Sequence, residues 1–175
     1  MIVADSAMER RKAFPLGIAA IKEAALKLHN FSILIDLCIV GANSEYLVRE
    51  LEGSSLSFNF TGRKTPAELA DIYRDVHIVF SPSLEDNWPN ILVESFACGA
   101  MHVVGPGHGC EEFVNLYNSG VVAESYSVQD LSESILKICI QITSGKTKDF
   151  NVNQKSFIGD HDPLVIGRKY LNEYI

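Results

Sequence analysis

Short apolar runs alternate with amphipathic stretches along the chain. Phe14, Ile18, Ile21, Ala25 and Leu28 recur at helical spacing and predict a helix over 14–28. Further helices are expected over 44–51, ended by Gly53, over 90–98, stopped by Gly99, and over 111–117. Thr65-Pro66-Ala67-Glu68 is a capping box with proline at the first helical position, and its helix should run to about Arg74. Ser127 with Asp130 caps a long helix to residue 142, and Asp162-Pro163 opens a last one reaching Ile175. Residues 144–148 read as a polar connector. Between these lie six runs with strand character, at 2–4, 33–40, 56–60, 76–80, 101–104 and 120–123. Strands alternating with helices build right-handed βαβ units. The expected architecture is therefore α/β, a Rossmann-like doubly wound parallel sheet of about six strands with helices on both faces. Ligands bind such sheets at the carboxyl ends of the strands. The loops after Ala4, Val40, Phe60, Phe80 and Val104 are the places to look for chemistry.

Composition narrows the picture. A chain of 175 residues suits one domain with a core of its own. Its net charge of −7 argues against nucleic acid as a partner, since a phosphate backbone needs a basic face. A small anion held by one or two local cations remains compatible. The longest apolar run, 31–40, contains Asp36 and ends at Gly41, so it reads as a buried strand and not a membrane span. Cys38, Cys98, Cys110 and Cys139 form no CxxC pair, and no histidines stand at ligand spacing, so neither a zinc site nor another metal centre is expected. Two sequons, at Asn30 and Asn59, read as chance matches in a chain without a recognisable secretory signal, and a cytoplasmic location is expected, at most peripheral to a membrane. His77 and His102 fall in predicted strands, where packing is the commoner role. No GxGxxG follows the first strand, which disfavours a nicotinamide dehydrogenase.

The loop after Phe80 carries the densest signal. Residues 81–99 read SPSLEDNWPNILVESFACG: a strand end, a polar loop and a helix opened by proline. Free backbone N–H groups at that helix start can face an anion or a sugar. Asp86 precedes the helix and Glu94 lies on it, eight positions later. Spacing alone leaves two options open: a ligand site, or a helix cap with a solvent-facing acid. The loop after the first strand offers Arg10, Arg11 and Lys12 before a helix, which suits either a diphosphate clamp or a solvated loop. Gly62 and Arg63 follow the third predicted strand, and Gly105-Pro106-Gly107-His108-Gly109 precedes another helix. Glycines there can bring amides close to a phosphate.

The string from Ser81 to Gly99 resembles the acid-x7-acid signature of retaining GT-B-fold glycosyltransferases, the glycosyl transferases group 1 family (family 4 type). The resemblance implies a donor-binding domain that holds a nucleoside diphosphate-sugar, UDP or GDP type, without a metal or other cofactor. It implies Asp86 as the catalytic acid near the donor sugar, with Glu85 beside it, and Glu94 on the ribose hydroxyls. Pro89, Asn90 and Ile91 match the loop whose backbone approaches the donor. Arg11 and Lys12 match the family's phosphate-holding pair, with Ala13 where glycine is usual. Gly62 and Arg63 match the nucleobase loop. His108 and Gly109 stand where the family has two glycines, Glu112 matches the acid that follows them, and Met101 replaces a proline. The family's N-terminal, acceptor-binding domain would lie outside these residues, so the domain alone should transfer nothing. The implied reaction moves a hexose, with retention, to a glycan or lipid-linked acceptor in polysaccharide or glycoconjugate biosynthesis. Two other readings stay open: a GT-B nucleotide-sugar epimerase half, and a non-catalytic binding or assembly module, which the departures at Ala13, Met101 and His108 would favour.

Overall fold

Parallel pairing organises the backbone. The structure is a computed structural model that describes residues 1–3, 10–41, 45–54, 56–146 and 148–161. In chain order the elements are β1 (Ile2–Val3), a single 3-10 turn (Arg10–Lys12), α1 (Phe14–His29), β2 (Asp36–Val40), α2 (Glu45–Leu51), β3 (Ser57–Gly62), α3 (Pro66–Asp75), β4 (Ile78–Ser81), α4 (Asn90–Cys98), β5 (Met101–Val104), α5 (His108–Tyr117), β6 (Gly120–Val122), α6 (Val128–Thr143) and α7 (Lys148–Asp160). The six strands form two parallel ladders, β1-β2-β3 and β4-β5-β6. They meet at Met1, whose amino group donates to the Ile78 carbonyl at 2.7 Å and whose carbonyl accepts from Phe80 N–H at 3.0 Å. The resulting order is 3-2-1-4-5-6, with the strand order turning back between β1 and β4. In a doubly wound sheet this switch point is where a crevice opens at the carboxyl edge.

Alternation along each strand divides the core. Leu37, Ile39, Phe80 and Val103 face one layer with α1, α2 and α6. Val40, Val79 and Val104 face the other with α3, α4, α5 and α7. Both faces are thus covered, as a parallel sheet requires. The capping box at Thr65 forms as expected, with its hydroxyl accepting from Glu68 N–H and the Glu68 carboxylate accepting from Thr65 N–H. Ser127 likewise accepts from Asp130 N–H at 3.0 Å.

Several boundaries shift by one or two residues from the sequence expectation, and three departures are larger. β2 starts at Asp36, because residues 33–35 do not join the ladder. α5 starts at His108, three residues early, because glycines and a left-handed His108 tighten its entry. The polar connector ends at a further helix, α7, whose weak amphipathic pattern hid it and whose Phe157 is buried among Phe96, Phe113 and Tyr117. The helix expected from Asp162 to Ile175 lies outside the described residues. All four cysteines are free thiols.

Candidate functional site

Two loops at the switch point are tied to each other. The Arg11 carbonyl accepts from Leu84 N–H at 2.6 Å. Lys12 Nζ lies 3.1 Å from Asp86 Oδ2, with the two side chains 25% and 17% exposed. Below them Gly17, inside α1, lets that helix press on the loop: a Cβ there would stand 2.7 Å from Pro82 Cγ. The side chains of Arg11, Lys12 and Asp86, with Ser83, Trp88 and the 89–91 segment, line a cavity of about 400 Å³. α4 begins at its wall. Its N-cap is Pro89, which supplies no side-chain acceptor, so the first amides of the helix face the cavity end without a built-in cap. Asp86 is therefore an ion-pair partner of Lys12 and not the cap of α4.

The same loop is braced from behind. Tyr126 packs its ring against Gly105, where a Cβ would meet it at 2.2 Å, and its hydroxyl donates to the Ser83 carbonyl at 2.7 Å. Burial pushes that phenol up to about 12, so it remains a donor. Trp88 sits edge-on to Phe113, with centroids 5.5 Å apart, and keeps 43% of its surface exposed at the cavity. Cys110 beneath is pushed up to about 11, first by burial and then by the Asp86 carboxylate, which makes it an inert thiol.

The structure brings Arg11, Lys12, Asp86, Pro89, Asn90 and Ile91 into one cavity. Glu85 is exposed and does not line it. Glu94 lies one turn further along α4 and turns to α3, accepting from Tyr73 Oη at 3.2 Å. Gly62 ends β3 with φ 71°, after a bulge that skips Thr61, and Arg63 follows exposed. The glycine-rich entry to α5 differs from expectation. Gly109 N–H donates to the Asp86 carbonyl at 2.9 Å, and a Cβ there would stand 1.6 Å from the Asn87 carbonyl oxygen. That amide braces the loop and does not point at a ligand. Gly107 N–H is taken by the Glu111 carboxylate, so Glu111 and not the exposed Glu112 serves this helix start. His108 is exposed with φ 60°, and Ala13 is buried with φ 47°. Both non-glycine departures thus occupy left-handed backbone, where glycine is the unstrained residue. Met101 opens β5 and packs into the core away from the cavity.

Sequence reasoning missed Gly17, Tyr73, Trp88 and Tyr126. An isolated glycine in the apolar helix pattern was a usable signal for the first. Nothing in the local pattern around Tyr73 or Tyr126 marks their hydroxyls as partners of this region.

Known proteins resemble the chain along most of its length. A family profile described as glycosyl transferases group 1 matches residues 6–150. N,N'-diacetylbacillosaminyl-diphospho-undecaprenol alpha-1,3-N-acetylgalactosaminyltransferase of Campylobacter jejuni is 26% identical over 109 residues, covering 62% of this chain and 28% of that protein. Among solved structures, Anabaena Alr3699/HepE in complex with UDP-glucose superposes with a TM-score of 0.73 at 17% identity, over 98% of this chain and 47% of that one. The catalytic domain of cholesterol-alpha-glucosyltransferase from Helicobacter pylori gives 0.69 at 17% identity, over 90% of this chain and 96% of that one. At such identities these superpositions show the fold. The chain spans less than a third of the Campylobacter protein and about half of the Anabaena one.

Proposed function

The chain belongs to the glycosyl transferases group 1 family and has the α/β fold of GT-B glycosyltransferases, and on that premise we propose that it is the donor-binding domain of a retaining, family 4-type hexosyltransferase. The observation that carries the reading is the Lys12–Asp86 pair, 3.1 Å apart over a cavity at the sheet's switch point. Arg11 and Lys12 would hold the diphosphate of a UDP- or GDP-sugar and offset the charge that grows on it as the glycosidic bond breaks, an electrostatic stabilisation. The uncapped amides of Asn90 and Ile91 would approach the same anion or the sugar hydroxyls. Asp86, already held by Lys12, would lie beside the sugar and stabilise the cationic anomeric carbon. Glu94 would take the ribose hydroxyls, and Gly62 and Arg63 the base. Likeness to a structure holding UDP-glucose and to an undecaprenol-linked N-acetylgalactosaminyltransferase supports a nucleotide-sugar donor and a lipid-linked or glycan acceptor. No described helix is long and apolar enough to cross a membrane.

Calorimetric titration with UDP, GDP and their sugars tests this. Lys12→Ala should weaken the tightest of them about 10- to 100-fold, the worth of a charge-assisted phosphate contact. Absence of binding by every nucleotide, or an unchanged affinity in Lys12→Ala, would sink the donor site.

A further inference from the structure

Tyr73 is 2% exposed and is the buried residue of α3. Its ring packs in the layer that holds Val79, Leu92 and Phe96. A buried tyrosine must find a partner for its hydroxyl. Here that partner is no backbone carbonyl of the core but Glu94 Oε2, 3.2 Å away, on a residue exposed to solvent. Glu94 stands three and four residues beyond Ile91 and Asn90, so it shares their side of α4, just behind the cavity wall they form. Burial first, and the Glu94 carboxylate second, push the Tyr73 phenol above its ordinary range, so it stays a donor through neutral pH.

We propose that Tyr73 is the positioning residue for Glu94, anchoring one carboxylate oxygen so that the group meets the two ribose hydroxyls of the donor already oriented. The inference rests on the ribose role proposed for Glu94. An ionised carboxylate accepts at up to about four positions, so one bond to Tyr73 leaves room for both hydroxyls. A glutamate on a helix surface otherwise samples many rotamers and loses that freedom on binding. Fixing it from the core moves the ordering cost into folding, which is preorganisation.

The test is calorimetry with UDP and GDP, each beside its 2′,3′-dideoxy form, on wild type, Tyr73→Phe, Glu94→Ala and the double variant. Phenylalanine keeps the buried ring, and thermal unfolding confirms that the fold persists. Tyr73→Phe should weaken the ribonucleotide about three- to tenfold, the worth of one hydrogen bond, with no change for the dideoxy form and no added loss beside Glu94→Ala. A loss in Glu94→Ala with none in Tyr73→Phe overturns the positioning role and leaves the ribose reading standing. An equal loss for ribo and dideoxy forms assigns Tyr73 to general packing and overturns it too. An unchanged Glu94→Ala overturns the ribose reading itself. Independently of any ligand, the ¹³C carboxyl resonance of Glu94 should shift in Tyr73→Phe, and a resonance that does not move removes the anchor.

Discussion

Ala13 joins the basic turn to α1 with φ 47° and ψ 36°, and its 9% exposure leaves the methyl group packed. The left-handed region costs a non-glycine residue about 1–2 kcal/mol, while glycine's greater freedom when unfolded returns about 0.5–1 kcal/mol of that advantage. Ala13→Gly should therefore stabilise the fold by about 0.5–1 kcal/mol, a rise of about 1–4 °C in Tm for a chain this size, with Ala13→Val moving it the other way. His108, exposed at φ 60°, should respond to glycine in the same direction. A Tm that falls in both glycine variants would mean that neither backbone is strained. These two residues also stand where the sequence resemblance leads one to expect glycine. The backbone has kept the glycine conformation, so the substitutions act on stability before they act on the shape of the site.

At the scale of elements, what was legible depended on whether the signal was local. The capping box at Thr65, the Ser127 cap, the 101–104 strand and the 90–98 helix appear as read, because side chain and backbone a few residues apart decide them. The Asp86 loop was legible as a motif, yet its contacts with Arg11, Lys12, Gly109 and Tyr126 were not, since they cross 73, 74, 23 and 43 positions and carry no periodicity. α7 was missed because, among its described side chains, only Phe157 is buried. His102 shows the same contrast. A packed histidine was expected, and the structure adds a buried relay. Ser95 Oγ donates to the Ile91 carbonyl at 2.5 Å, so it accepts from His102 Nε2–H at 3.0 Å, while Nδ1 accepts from Ser119 at 2.9 Å. α4, β5 and the start of β6 are joined through one neutral ring. Burial pushes that imidazole down to about 3 from its ordinary 6.5. Between those values the unfolded chain binds a proton that the folded chain refuses, so stability rises with pH there. The contribution is complete above about pH 6.5 and is lost as pH falls towards 3, at about 1.4 kcal/mol per unit. Urea unfolding of wild type and His102→Asn from pH 7 to 4 should show the wild type losing stability more steeply by about that slope. Parallel lines would place the acid sensitivity elsewhere.

The whole molecule sets what the site can do unaided. The described residues cover both faces of the sheet with a core, and the cavity is lined by them alone. Yet Arg11 is exposed, Lys12 and Asp86 are a quarter and a sixth exposed, and Trp88 is 43% exposed, so the cavity stands open at the carboxyl edge of the sheet. Electrostatic stabilisation of a breaking glycosidic bond weakens steeply in such wet surroundings, because water screens the charges that must act. Nothing on the described residues places an acceptor hydroxyl opposite Asp86, and orientation of that group is worth about 7–11 kcal/mol of barrier. The expected outcome is binding without turnover: the chain should take up its nucleotide-sugar in a titration and release no sugar to water or acceptor in a product assay. Joined to a second Rossmann-like domain that closes the cleft and carries the acceptor, the same residues should support transfer, with Asp86→Asn and Lys12→Ala each lowering kcat about 100-fold or more. Transfer by the 175-residue chain alone would overturn this division of labour, and the groups that activate the acceptor would then have to be sought on the chain itself.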